Sequence, residues 1–526
     1  MKKTATSFLF SIATVLLIVL SSAGMAAAVD PTNTELGNAA LFNVTTGTQD
    51  TALGYTALNF DSTGSYNTAT GSEALQRNTT GSNNTADGRN ALYSNSTGNN
   101  DTATGMQAFF NGTGSNNTAT GVFALEGDFI AGASENTGSN NTADGMSTLQ
   151  HNTTGFANTA SGLNALQHNT TGYNNTASGA YTLFSNTTGN DNTGSGVNSL
   201  YSNTTGVSNT ASGLNALFNN TTGDNNTASG AAALRFNTTG FDNTATGYQG
   251  LAHNTTGIDN TAIGFSALYR NSTGNDNTAL GMQSLYSNTT GQFNTAVGLN
   301  GQYSNTTGLR NTSLGMGALF TNTTGQNNIG IGIYGGYNLT TGNNNIEVGN
   351  VGLGADTNTI RIGTQGTQTA TYIAGITGSA VTGSDVVISS AGRLGVVLSS
   401  ARYKRDVHDI GSASDGLMKL RPVTFRYKND QQGVKQYGLV AEEVEQVYPE
   451  LVLHDADGKV ESVRYSMLAS MLLNELQKQK QELSDQNKKN AQQAEKVSQL
   501  EERLARLEHA TASKDGSRRL ATAYNQ

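Results

Sequence analysis

The sequence predicts a mostly β protein: a long β-solenoid, then a small α+β domain and a C-terminal coiled coil. Three observations carry this. Glycine recurs with a 17-residue period between Gly37 and Gly349. Charged residues and ordinary globular patterning begin abruptly near Ser399. Residues at strict heptad spacing, mostly apolar, run from Leu476 to Leu504. The chain has 526 residues, enough for several domains, with 63 Gly, 3 Pro, no Cys, no Trp and 13% charged residues.

Residues 1–28 read as a secretory signal. Lys2 and Lys3 precede an apolar run from Phe8 to Leu20, and Ala26-Ala27-Ala28 supplies an A-x-A cleavage site. That run is short for a bilayer span, and no other segment is apolar enough to cross one. The expected location is therefore secreted or at the cell surface. Losing Lys2 and Lys3 moves the formal charge from -9 to -11, which disfavours nucleic acid and anionic membranes as partners. Without cysteine an exported chain has no disulfides and no lipid anchor on cysteine, so oligomerisation is the expected source of stability.

Residues 34–363 form the repeat. Its unit approximates N-T-A-x-G-x-x-A-L-x-x-N-T-T-G-x-x, as in Asn209 to Gly213, Ala216, Leu217 and Asn220-Thr221-Thr222-Gly223. A short fixed period marks a stacked, quasi-one-dimensional architecture. Seventeen residues are too few for two packed helices and suit two short strands and two turns, one coil of a solenoid. Ala69, Ala86 and Ala103 fit a narrow interior, and Leu75, Leu92, Phe109 and Leu125 supply an apolar stripe. The glycines of N-T-A-x-G and N-T-T-G suit turns at positive φ, where Asn is also tolerated. Stacked Asn and Thr can form hydrogen-bonded ladders, and scarce Pro leaves backbone donors free. About nineteen coils at ~4.8 Å each give a rod of about 90 Å.

The register breaks once. Gly105 to Gly121 is one residue short, and Gly121 to Gly145 carries extra residues around Glu126 to Asn136, including Asp128, Phe129 and Ile130. An insertion on one edge of the solenoid is expected there. The N-T-T and N-S-T triplets match the glycosylation acceptor, but the repeat itself generates them. No T-x-T column suited to ice is present, and the regular Asp of calcium-binding nonapeptides is missing.

This N-x-A-x-G pattern resembles the β-roll heads of trimeric autotransporter adhesins, although the 17-residue period is longer than that family's usual one. The resemblance implies a trimeric β-roll. Residues 364–398 then read as connecting β structure, with short apolar runs at Val386-Val387-Ile388 and Leu394 to Leu398.

Residues 399–475 read as the α+β domain. Arg421 to Tyr427 alternates like a strand, Tyr437 to Val440 reads as another, and Ala441 to Val447 as a short amphipathic helix stopped by Pro449. Leu451-Val452 begins a further strand, and Asp455 to Lys459 is a hairpin turn. Val463-Arg464-Tyr465 leads into a long helix. The S-x-x-x-x-K start at Ser399, Y-G-L-V-A-E-E-V at Tyr437, P-E-L-V at Pro449 and V-x-Y-x-x-L at Val463 resemble the intramolecular chaperones of endosialidases and phage tail spikes, the S74 peptidases. What the resemblance implies is a module that assembles trimers of β-rich fibres and releases itself by autoproteolysis. By that resemblance Ser399 is the nucleophile, Lys404 the general base, and Leu398–Ser399 the scissile bond.

Local geometry alone leaves the base and nucleophile open. Ser400 and Lys404 are i, i+4 and would face each other on a helix, whereas Ser399 and Lys404 would lie on opposite faces of a strand. A loop, or a neighbouring chain, must bring the latter pair together. Lysine acts as a base only when neutral, so Lys404 needs burial or a cationic neighbour such as Arg402 or Arg405. No metal or cofactor is expected: the six histidines, among them His408, His454 and His509, lack ligand spacing. Glu442, Glu443 and Glu445 read as a solvated helix face.

Residues 476–508 form the coiled coil, with Leu476, Leu483, Val497 and Leu504 on the seam, Asn490 as one polar layer, and Leu500 and Leu507 beside it. Residues 509–526 are expected to be disordered. The sequence thus predicts an exported homotrimeric fibre or adhesin-like protein whose only chemistry is cleavage of itself. A surface glycan or host receptor is the expected external partner. The alternative is a fibre-borne polysaccharide-degrading or glycan-binding spike, but Asp101, Asp144, Asp191 and Asp224 make no obvious acid–base pair.

Overall fold

The computed structural model describes residues 30–523 apart from 128–134, 375–382, 384, 390, 429 and 456. The leader and the inserted Asp128, Phe129 and Ile130 lie outside the described residues. The chain divides into two units, one up to Thr371 and one from Tyr372.

The first unit is a β-solenoid. A single 20-stranded parallel sheet runs from β1 (Thr34–Leu36) to β20 (Ile360–Ile362), each strand three residues long. Successive coils pair in register, so β11 (Thr210–Ser212) sets Thr210, Ala211 and Ser212 against Thr227, Ala228 and Ser229 of β12 (Thr227–Ser229). The middle residue points inward and its neighbours outward, the period-2 consequence of a pleated strand. Alanine fills the inner position because the coil is too narrow for more.

Each coil holds one strand rather than the two expected. The remainder is a chain of turns in which Asn215 (φ 55°), Leu217 (φ 51°) and Asn225 (φ 55°) adopt left-handed backbone. Asn tolerates this conformation well, and Leu lacks the β-branch that would make it costlier. The turns are stitched between coils like a strand. Leu217 N–H donates to Ala233 O at 3.0 Å, Asn219 N–H to Arg235 O at 3.0 Å, and Asn215 N–H to Val197 O at 3.1 Å. Leu217 packs inward among Ala216, Ala228 and Ala233 in the central core.

The two repeat glycines have different physical roles. Gly213 sits at φ 132°, as expected of a turn glycine. Gly223, in N-T-T-G, is not at positive φ. A Cβ there would lie 2.3 Å from Gly240 O and 2.5 Å from Asn220 Oδ1, so close coil stacking demands the glycine.

Two columns of fully buried asparagine run through the solenoid. In the first, Asn209 Nδ2 donates to Asn192 Oδ1 (3.2 Å) and Gly223 O (2.8 Å), while its own Oδ1 accepts from Asn226 N–H (3.0 Å) and Nδ2 (3.1 Å). In the second, Asn220 Nδ2 donates to Asn203 Oδ1 (2.9 Å) and Gly223 O (2.9 Å). Most coils thus satisfy the amides of the next, as buried polar groups require, with Asn78 Oδ1, Asn136 Nδ2 and Asn322 Oδ1 left without a partner. The acceptor amides of the N-T-T triplets are enclosed in this second column. It is interrupted where Gly112 replaces Asn, because the Phe109 ring fills the space: a Cβ on Gly112 would lie 1.9 Å from Phe109 Cε2. The column resumes at Asn136, whose Oδ1 accepts from Asn152 Nδ2 at 3.1 Å. On either side of the inserted residues the backbone is held in the ladder, Gly127 N–H donating to Gln150 O at 2.8 Å and Asn136 N–H to Asn111 O at 2.9 Å.

Carboxyls replace Asn at three buried ladder positions. Burial pushes Asp50 up to about 6 and Asp101 up to about 7, and burial together with the nearby Asp50 raises Asp61 to about 7. At the C-terminal end the inner Ala is replaced by Glu347, whose buried carboxyl is raised to about 7 by desolvation first and by Asp356 second. Arg361, the next residue in this column, makes a bidentate pair with Asp356 at 2.7 and 2.8 Å. This polar group sits in the last two coils, beneath the end of the solenoid.

The second unit starts with an antiparallel hairpin, β21 (Val386–Ile388) and β22 (Leu394–Val396). Two further hairpins follow: β23 (Val423–Phe425) with β24 (Gln436–Gly438), and β25 (Val452–His454) with β26 (Val460–Val463). Between them lies α1 (Ala441–Glu445). A small core of Leu417, Val444, Tyr448, Leu451, Val452 and Val463 packs α1 against the β25–β26 hairpin and the segment around Leu417. Asp455 Oδ1 accepts from Asp457 and Lys459 N–H at 2.9 and 2.8 Å and forms the predicted hairpin turn.

The helix α2 (Tyr465–Ala523) completes the unit. Its first turns dock on the core through Leu468 and Met471. Buried Ser414 accepts from Asn474 Nδ2 (2.6 Å) and Lys478 Nζ (3.2 Å). Residues 509–523, expected to be without regular structure, continue α2. They contain no proline and many Ala, Lys, Arg and Leu residues, which favour helix. The seam residues Leu476, Leu483, Val497, Leu500, Leu504 and Leu507 are all exposed in the single chain. No described helix is long and apolar enough to cross a membrane.

Candidate functional site

Ser399 follows Leu398 and the end of β22 by a few residues, in extended chain. A single 3-10 turn, Ala401–Tyr403, then reverses the side-chain sequence. It is closed by Tyr403 N–H to Ser400 O (3.0 Å) and Lys404 N–H to Ala401 O (3.1 Å). Ser400 (φ -63°, ψ 142°) and Lys404 (φ -110°, ψ 145°) flank it in extended conformation. The turn between two extended residues cancels the odd spacing that would part Ser399 and Lys404 on a strand. Lys404 Nζ consequently donates to Ser399 Oγ at 3.2 Å.

This geometry pairs a hydroxyl with an amine beside the Leu398 carbonyl. Nucleophile and base must lie within hydrogen-bond reach for proton transfer. Both side chains, and Leu398, are exposed in the single chain. Arg402 lies over the Tyr403 ring, 4.8 Å from its centroid, and Arg405 is 3.8 Å from Asp406.

Downstream, Glu443 forms an ion pair with Arg421, so this acidic residue ties α1 to the segment leading into β23. Its carboxyl is held below the usual range by the Arg421 hydrogen bonds. Glu445 contacts His454 Nε2 at 2.8 Å. No group of three or more His, Cys, Asp or Glu is placed to hold a metal among the described residues.

One feature of the solenoid surface escaped the sequence reading. Aromatic residues directly after the core Leu position stack coil upon coil: Tyr269, Tyr286, Tyr303, Phe320 and Tyr337 have successive ring centroids 5.0–5.4 Å apart and nearly parallel planes. The signal was present as an aromatic at constant offset from Leu268, Leu285 and Leu319. Each ring face meets a neighbouring ring, so the row stiffens the coils and presents mainly ring edges outward.

No curated protein and no solved structure matches the chain. Residues 399–453, which begin at Ser399 and reach into β25, match the family Peptidase_S74, described as chaperone of endosialidase; the second unit is similar to that family over this stretch.

Proposed function

We propose that the protein is an exported homotrimeric fibre, adhesin-like in architecture, whose C-terminal unit drives assembly and is then released by cleavage between Leu398 and Ser399. The observation that carries this reading is the Ser399–Lys404 hydrogen bond at the first residue of the chaperone-family match. The solenoid has its own closed core, so it can persist after the second unit departs. The exposed heptad seam of α2 is suited to a coiled coil between copies of the chain, and the choice of three strands rests on the similarity to the chaperone family.

In the proposed reaction Lys404, as the neutral amine, takes the proton from Ser399 Oγ. The oxygen attacks the Leu398 carbonyl carbon. The C–N bond breaks as the C–O bond forms, and the proton passes to the departing nitrogen, leaving an ester. Water then hydrolyses that ester, freeing the Leu398 carboxylate and restoring the serine hydroxyl. Assembly would bury the exposed pair, disfavouring the ammonium and switching the base on only in the multimer.

Glycan degradation receives less support. Of the acids the sequence offered, Asp101 is enclosed within the solenoid, as are Asp50, Asp61 and Glu347, while Asp144, Asp191 and Asp224 are exposed on separate coils. A surface glycan or receptor remains the proposed external ligand of the fibre. The test is the intact mass of wild type, Ser399→Ala and Lys404→Ala. A break before Ser399 in wild type alone supports the reading; uncut wild type in a correctly assembled multimer overturns the release step.

A further inference from the structure

The outward face of the solenoid sheet changes character along the chain. At the third strand position, coils from Thr70 to Thr246 carry Thr, Ser or Asp. From β14 (Thr261–Ile263) onward the same position carries Ile263, Leu280, Val297, Leu314, Ile331 and Val348. Apart from Leu36 and Leu53 at the other end, the switch is complete. Ile263 is 44% exposed and Leu314 50% exposed. Beside them, at the residue after each turn glycine, stand Phe265, Met282, Leu299, Met316 and Ile333. The first strand position carries Thr and then Ile329, Ile346 and Ile360, so no charged side chain enters the three columns.

A soluble surface has no physical reason to keep such a strip. Seven strands at ~4.8 Å make it roughly 30 Å long; the third-position column runs its whole length, the column after the turn glycine runs to Ile333, and the first position adds isoleucine over the last three strands, giving an exposed apolar patch of about a few hundred Å², a size that is often functional. Folding of one chain leaves it uncovered. In chain order the uncovered apolar set continues through Val386 and Ile388 of β21, Leu394 of β22 and Leu398, all exposed.

We infer that this strip, from β14 to the solenoid end, is the seam along which copies of the chain pack side by side, parallel and in register. The inference rests on the multimer proposed above. The occupant is identified by the repeat itself. A flat strip with one apolar row per ~4.8 Å is matched row for row by another solenoid of the same pitch. Parallel copies bring identical rows together, and a rim containing Asp259, Asp276 and Arg310 keeps polar groups at the edge, as interfaces do. Coils before β14 share the column after the turn glycine, where Met106, Met146, Val197 and Leu214 are also exposed, but their third strand position from Thr70 to Thr246 carries Thr, Ser or Asp, so the second apolar column that completes the strip is missing there.

The chain has no native cysteine, so single cysteines report contacts cleanly. Full-length protein carrying Leu314→Cys or Ser212→Cys, the same coil position in the two regions, is treated with a short bismaleimide, and native mass is recorded for each. The expected result is covalent joining of chains for Leu314→Cys at least tenfold above Ser212→Cys, in a multimer of unchanged mass. A multimer with no joining at Leu314 overturns the seam while leaving the multimer standing. Equal joining at both positions overturns its confinement to the C-terminal coils. A monomeric native mass for wild type and both variants overturns the seam together with the multimer.

Discussion

Replacing Asn209 by Ala isolates the energetic role of the asparagine columns. The side chain is fully buried in mid-solenoid and takes part in four hydrogen bonds. Truncation leaves Gly223 O with its second donor, Asn220 Nδ2, and Asn226 Nδ2 with Gly240 O. The Asn226 backbone N–H, however, loses its acceptor and has no route to water. One orphaned buried donor costs ~1–3 kcal/mol, and the remaining lost bonds add about 0.5–1.5 kcal/mol each. The sum is roughly 2.5–7.5 kcal/mol, and its lower end already corresponds to a roughly 100-fold rise in local opening. Because each coil contacts only its neighbours, the effect concentrates around the altered coil. Hydrogen exchange followed by mass spectrometry should show amides of residues 192–243 exchanging at least about 100-fold faster, with distant coils little changed. Thr222→Ala, at an exposed turn position in the same coil, should change little. Unaltered exchange in Asn209→Ala, or an equal effect from Thr222→Ala, would refute the ladder argument.

Acid should stabilise the N-terminal coils. Asp50, Asp61 and Asp101 have folded-state values raised to about 6, 7 and 7, above those of the unfolded chain. The folded state therefore binds more protons between pH ~4 and ~7, and stability falls as pH rises through that window. Exchange protection of residues 50–117 should be greater at pH 5 than at pH 8, and Asp61→Asn should reduce the difference. Glu347→Gln should likewise flatten the pH dependence of the last coils, read from the same exchange data. Gly223→Ala should destabilise by ~1–3 kcal/mol through its clash with Gly240 O, measured by denaturant unfolding. Ser400→Ala should leave self-cleavage within a few-fold of wild type, whereas Ser399→Ala should abolish it, by intact mass.

Much of the solenoid was legible because its period is short and its constraints are local. The inner Ala, the Leu stripe and the Asn columns each follow from one position in the repeat. What did not follow was conformation. Leu217 in left-handed backbone looks like a strand residue in sequence, which is why a second strand was expected where turns stand. Gly223 looks like a positive-φ glycine, but only stacking against the next coil shows that a Cβ is excluded by contact. Phe109 read as one more residue of the apolar stripe, and only the three-dimensional arrangement shows that its ring takes the space of the asparagine that Gly112 replaces. At the junction, the sequence left Ser399 and Ser400 as rivals for Lys404. The intervening 3-10 turn, too short to have a periodic signature, brings Ser399 to its amine.

The central claim is that the second unit builds the fibre without belonging to its finished form. The most direct test compares native mass of the solenoid product made from the full chain with that from a chain ending at Leu398. The account predicts a trimer from the full chain, and monomer or aggregate from the shortened one. An identical stable trimer from both would contradict it, because the unit beginning at Ser399 would then have no part in assembly.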